Sequence, residues 1–181
     1  MSQLDPTPKA IPLGKSGILV SPIAWGMWRF AGVGVAEGRA LIEAAFEAGV
    51  TLFDTADIYG PDNDEDFGAA EALLGRVFAE APALRDKMVL ASKGGIRMGV
   101  PYDSSAPYLA EAIDASLSRL GCEKIDLYQI HRPDLLAHPQ EVARALDDAR
   151  VAGKISAIGV SNHTPSQTAA LAEYLTVPVV S

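Results

Sequence analysis

Residues 125–131 read IDLYQIH, an apolar run that closes on a histidine. The same construction occurs twice upstream: VTLFD (50–54) closes on Asp54 and MVLASK (88–93) closes on Lys93. Strands buried on both faces read as near-continuous hydrophobic runs. In a parallel barrel, the polar residue that ends such a strand is displayed at the shared carboxyl-end surface, where catalytic groups stand. One such ending carries little information. Three in succession, with Tyr59 just beyond the first, read as a site.

Helical patterns separate these runs. Leu41, Ile42, Ala45 and Phe46 share one face of a helix near 36–48, with Gly49 as its stop. Further helices are expected near 66–80, 106–120 and 139–152, the last two ending at Gly121 and Gly153. Another opens at Thr164-Pro165-Ser166-Gln167, a capping box with proline at the first helical position. Strands are expected at 50–55, 88–93, 125–131 and 155–161, with VPVV (177–180) as the last. Near the start, KAIPLG (9–14) and GILVSP (17–22) flank the turn Gly14-Lys15-Ser16-Gly17 and read as a hairpin capping the barrel bottom, with IAWGMW (23–28) as the next apolar run.

Strands alternating with amphipathic helices imply right-handed βαβ units and a parallel sheet, either closed into a barrel or open and doubly wound. An open dinucleotide-binding sheet needs the G-x-G-x-x-G turn after its first strand. Here that turn reads Gly32-Val33-Gly34-Val35-Ala36-Glu37-Gly38, with glutamate where the third glycine belongs. Gly14-Lys15-Ser16 imitates the end of a phosphate-binding loop, but the earlier glycine is replaced by Lys9. The barrel reading stands, with residues 1–181 as a single domain.

Composition narrows the partners. The chain has 181 residues, 49% of them hydrophobic, which is enough for one buried core. A net charge of −8, from 15 basic and 23 acidic residues, argues against nucleic acid and for a small-molecule partner. The single cysteine, Cys122, cannot form an internal disulfide, and MSQLDPTPKA lacks the basic start and apolar stretch of a signal peptide. No apolar run approaches the ~18 residues that span a bilayer. A cytoplasmic location without membrane contact is the expectation. No His, Cys or carboxylate pair has metal-ligand spacing, so no metal is expected.

The four polar residues suggest a reaction class. A phenol is a poor acid at neutral pH, since its ordinary pKa is about 10, but a nearby ammonium stabilises the phenolate. Tyr59 beside Lys93 would be such an acid. A lysine partly buried at a strand end needs a counter-charge, which Asp54 could supply. His131 could then orient a carbonyl by hydrogen bonding. Polarising a carbonyl while donating a proton to it is what hydride reduction by a nicotinamide requires.

The segments FDTADIYG (53–60), LASKGG (90–95), DLYQIHRPD (126–134) and IGVSN (158–162) resemble, in order and separation, the strand-end motifs of the aldo-keto reductase family. The resemblance implies a (β/α)8 TIM barrel and NAD(P)H-dependent interconversion of carbonyls and alcohols. NADP is the expected cofactor, with NAD possible. It assigns the catalytic set to Asp54, Tyr59, Lys93 and His131, with Tyr59 as proton donor. Ser161 and Asn162 match the pair that contacts the nicotinamide carboxamide. Gly26, Met27 and Asp54 fall at the cofactor edge, and Trp28 joins Tyr59 and His131 at the substrate pocket. HRPD (131–134) resembles bacterial or sugar-oxidising branches, and a carbonyl or sugar is the implied substrate. The oligomeric state stays open.

Taken singly, each residue has an ordinary reading: Asp54 as a turn or cap, Tyr59 as a packed ring, Lys93 as a solvated charge, His131 as a core histidine. His138 and His163 read as surface or capping residues. Two other functions remain: a non-catalytic, cofactor-sensing regulatory subunit of the same fold, and a barrel enzyme that forms a Schiff base on Lys93. The rhythm yields six barrel strands, whereas a (β/α)8 barrel takes about 250 residues. A truncated chain is therefore expected. In the family, the residues that stack the nicotinamide and grip the adenosine phosphate lie beyond this point.

Overall fold

A computed structural model describes residues 9–181. Strands β1 (Ile11–Pro12) and β2 (Leu19–Val20) form an antiparallel ribbon. Strands β3 (Ala24–Gly26), β4 (Leu52–Asp54), β5 (Val89–Gly94), β6 (Ile125–Ile130) and β7 (Ile155–Val160) form one all-parallel sheet in sequence order. Consecutive parallel pairing with a helix in each crossover is the wall of a (β/α) barrel rather than an open doubly wound sheet, whose strand order reverses. The helices are α1 (Val35–Glu47), α2 (Ala69–Glu80), α3 (Ala83–Lys87), α4 (Ala106–Leu120), α5 (Pro139–Val151) and α6 (Pro165–Ala172).

Side-chain alternation along the strands divides the core in two. One set (Phe53, Leu90, Tyr128, Ile130, Ile158) packs against Ile42, Leu74, Val77, Ile113 and Leu146 of the helices. On the other face, Ala91, Leu127 and Ala157 pack with Leu52, Val180 and the ribbon residues Leu13 and Ile18. The ribbon thus covers the inner face below the strand ends, as a hairpin cap does. Its turn closes through Leu13 N–H to the Ile18 carbonyl at 2.8 Å.

The helix boundaries follow local chemistry. Gly121, at φ 62°, terminates α4 in the left-handed conformation. The reciprocal capping box at Thr164 and Gln167 starts α6, and the His138 ring accepts the Gln140 N–H at the start of α5, so the capping reading of that histidine holds.

Two expectations need correction, and one element is added to them. The helix expected from residue 66 begins only at Ala69, because Gly68 is left-handed at φ 83°. The short helix α3 was not foreseen. VPVV forms no full strand: it meets β7 through one parallel bridge, Ile158 to Val179, with Val180 N–H bonded to the Ile158 carbonyl at 3.0 Å. Pro178 lacks the N–H that would lengthen this ladder. The sheet therefore has five strands and the start of a sixth contact.

Candidate active site

The carboxyl ends of β4, β5 and β6 bring Asp54, Lys93 and His131 to one rim. Tyr59 joins them because the chain beyond β4 stays attached to β5 before turning. Thr55 N–H bonds the Ala91 carbonyl at 2.9 Å and Asp57 N–H bonds the Lys93 carbonyl at 3.0 Å; Tyr59 N–H then turns back to the Ala56 carbonyl at 3.2 Å. The next residue must be glycine. A Cβ on Gly60 would lie 1.8 Å from the Asp66 carbonyl oxygen, a clash with backbone that no side-chain shift relieves.

Lys93 is 4% exposed, and its ammonium has three acceptors: Asp54 Oδ2 at 2.7 Å, the Thr55 carbonyl at 2.9 Å and Tyr59 Oη at 3.1 Å. An ammonium has three protons, so this set satisfies it. Because Tyr59 Oη accepts from Lys93, its own O–H remains free to donate outward.

The His131 ring stands edge-on to Tyr59, with centroids 5.8 Å apart. Its backbone is held from both sides: N–H to the Gly94 carbonyl at 2.8 Å, and carbonyl to Asn162 Nδ2 at 3.0 Å. Burial, then the Lys93 and Arg132 charges, push its pKa down to about 4. The imidazole is therefore neutral at physiological pH and has one N–H to donate. Nδ1 is buried without a hydrogen-bond partner among the described residues.

The other expected residues are placed as follows. Ser161 and Asn162 follow β7, with Asn162 left-handed at φ 60° and its Nδ2 bonded to Ser161 Oγ at 2.8 Å. Both protons of the Asn162 amide are thereby used, while its Oδ1 and the Ser161 hydroxyl proton face no partner among the described hydrogen bonds. Gly26 pairs with Asp54 across β3 and β4. The Met27 side chain is fully buried in the helix-side core, away from the rim; its N–H bonds the Asp54 carbonyl at 2.9 Å. Trp28 is exposed, with its indole N–H on Asp62 Oδ2 at 3.1 Å and its carbonyl accepting from Asn63 Nδ2 at 2.8 Å.

Sequence reasoning missed two groups. Gln129 donates to Asp54 Oδ1 at 2.9 Å; its signal was a lone amide inside an apolar strand, two residues before His131. Asp57 is buried with neither carboxylate oxygen in a well-aligned hydrogen bond among the described residues, close to the buried Glu71. Glu71 itself accepts from Ser92 Oγ at 2.5 Å and Arg119 Nε at 2.8 Å. In the sequence Asp57 was indistinguishable from any loop aspartate.

A sequence profile described as the aldo/keto reductase family matches residues 22–181. The chain belongs to the aldo/keto reductase family. This is a family of oxidoreductases, and the barrel is of its type. The chain is 59% identical over 177 residues to a 6-dehydroglucose reductase of Novosphingobium aromaticivorans, covering 97% of this chain and 58% of that protein. It is 37% identical over 168 residues to an L-glyceraldehyde 3-phosphate reductase of Escherichia coli, covering 90% and 47%. An aldo-keto reductase from Bacillus halodurans, solved in its holo form, superposes with a TM-score of 0.79 at 28% identity, covering 93% of this chain and 55% of that one. The chain thus spans about half the length of the relatives it matches. No helix among the described residues is long and apolar enough to cross a membrane.

Proposed function

We propose that this aldo/keto reductase chain carries the catalytic residues of an NAD(P)H-dependent carbonyl reductase, with Tyr59 as the proton donor. The observation that carries the reading is the Lys93 ammonium, shared between Asp54 and the Tyr59 hydroxyl. A reduced nicotinamide, if held by Ser161 and Asn162, would supply the hydride. The residues present fit such a group: the unengaged Asn162 Oδ1 and Ser161 hydroxyl proton are the acceptor and donor that a carboxamide needs. NADP is the preferred form, with NAD as the alternative.

The work of the protein side chains divides cleanly. The neutral His131 N–H and the Tyr59 O–H both hydrogen-bond the carbonyl oxygen, which draws electron density from the carbon under attack. As negative charge develops on that oxygen, Tyr59 passes its proton across, and the phenolate left behind is stabilised by Lys93. Asp54 holds the ammonium in place. In alcohol oxidation the same groups run in reverse.

A Schiff-base role for Lys93 fits poorly, since that chemistry starts from a neutral amine and all three ammonium protons here have acceptors. Among carbonyls, the names of the relatives point to an aldehyde carried on a sugar or sugar phosphate. The test is oxidation of NADPH, then of NADH, by the intact protein with sugar-derived and simple aldehydes. Turnover is expected, and its absence across the whole panel overturns the proposal.

A further inference from the structure

Gln129 occupies the inner face of β6, in register with Lys93 on β5 and with Gly159 on β7. It is 8% exposed, and an amide at that depth needs partners. It has one at each end: Nε2 donates to Asp54 Oδ1 at 2.9 Å, and Oε1 accepts from Ser181 Oγ at 3.2 Å. The amide orientation follows from its neighbours, because the reverse would set two acceptors, Oε1 and the carboxylate, against each other.

Asp54 belongs to β4 and Gln129 to β6, so this bond passes inside the barrel across the intervening strand. The space for it comes from Gly159. A Cβ there would stand 2.2 Å from Ser181 Oγ and 3.0 Å from Gln129 Cγ.

Lys93 uses only one oxygen of Asp54, Oδ2. The terminal torsion of an aspartate is broad and roughly two-fold, so a carboxylate held at one oxygen can turn about its axis. Held at both, by Lys93 on one side and Gln129 on the other, it cannot. We propose that Gln129 is a positioning residue: by fixing Asp54 through Oδ1 it sets where Lys93 stands against the Tyr59 hydroxyl, and so how readily Tyr59 gives up its proton. This rests on the carbonyl-reductase reading above. A residue that merely filled the barrel interior could be methionine without consequence for Tyr59.

The charged and titratable groups facing Tyr59 are Lys93, Asp54 behind it, and His131. Gln129→Met keeps the volume and removes the donor. In that variant Asp54 is free to turn and Lys93 shifts from the Tyr59 hydroxyl. Loss of a hydrogen bond to a charged group corresponds to about tenfold in rate or more. Gln129→Glu retains a donor only while its carboxyl is protonated, so it should behave as wild type at acid pH and as Gln129→Met above its own titration.

The measurement is tyrosinate absorbance against pH in the intact, cofactor-free protein, with the Tyr59 contribution isolated by subtracting Tyr59→Phe. The pH profile of kcat for carbonyl reduction is recorded in parallel. A higher Tyr59 midpoint in Gln129→Met, with kcat lowered about tenfold and acid-pH rescue by Gln129→Glu, supports the proposal. An unchanged midpoint overturns it, whether kcat is unchanged or lowered equally at all pH. If Gln129→Met does not fold, Gln129→Leu, which also removes the donor and adds no charge, decides: a Tyr59 midpoint equal to wild type overturns the proposal, and a raised one supports it. Tyr59→Phe separates the two levels. Its full activity would sink the reductase reading itself, whereas an inactive Tyr59→Phe beside an unaltered Gln129→Met would sink only the role of Gln129.

Discussion

Asp57→Asn should stabilise the protein at neutral pH, and the gain should vanish on acidification. Asp57 follows the end of β4 and turns its carboxyl into the core, where it is 1% exposed and neither oxygen has a well-aligned hydrogen bond among the described residues. It approaches Tyr128 beside Gly94: a Cβ on that glycine would sit 2.1 Å from Tyr128 Oη and 3.2 Å from Asp57 Oδ2. Burial, reinforced by Glu71 and opposed by Arg119, the Ile58 backbone N–H and Lys93, pushes the Asp57 pKa up from 3.8 to about 8. The folded protein therefore keeps this proton at pH 7, whereas the unfolded chain has lost it.

Folded and unfolded forms are both protonated below about pH 4. Between about pH 4 and 8 only the folded form holds the proton, and stability falls as pH rises. At about 1.4 kcal/mol per pH unit, the loss by pH 7 is on the order of 4 kcal/mol. Asparagine carries no such penalty. Urea unfolding of wild type and Asp57→Asn from pH 4 to 8 should give curves that meet at the acid end and separate by on the order of 4 kcal/mol at pH 7. Parallel curves would show that Asp57 is ionised in the fold and would refute the buried-proton argument.

Tyr59→Phe should lower carbonyl reduction by about 10²–10⁴-fold, the usual share of a general acid, while cofactor affinity measured by fluorescence quenching is retained. Loss of both in parallel would deny Tyr59 its role as proton donor. Lys93→Met should slow reduction similarly and also cost about 1–3 kcal/mol of stability, because Asp54 Oδ2 loses its partner in a partly buried site. Wild-type thermal stability in that variant would contradict the pairing. With its folded pKa near 4 and an ordinary value of 6.5, His131 contributes stability that is complete above about pH 6.5 and lost as pH falls through 4, up to about 3 kcal/mol. His131→Gln should flatten that acid-side slope in denaturant unfolding. An activity transition centred near 6.5 that disappears in this variant would contradict a neutral imidazole.

Much of the barrel was legible because burial on both faces leaves a plain record: VTLFD, MVLASK and IDLYQIH read as core strands, and each became one. The boundaries that moved did so through backbone effects that hydrophobic patterning does not report. The left-handed Gly68 delayed α2, and Pro178 kept VPVV to a single bridge. Met27 shows the opposite limit. Its neighbours Gly26 and Trp28 reach the rim, but strand alternation turns the Met27 side chain into the helix-side core.

The sequence by itself determined which residue types stand at the strand ends and hence the chemistry of the site, because a polar group closing a buried strand must emerge at the barrel rim. Tertiary structure alone decided how those groups are charged and held. The neutral state of His131 and the proton kept by Asp57 depend first on exclusion of water, and the second hold on Asp54 depends on Gln129, a partner 75 residues away. Burial and through-space distance set those energies, and neither is a property of any local stretch of chain.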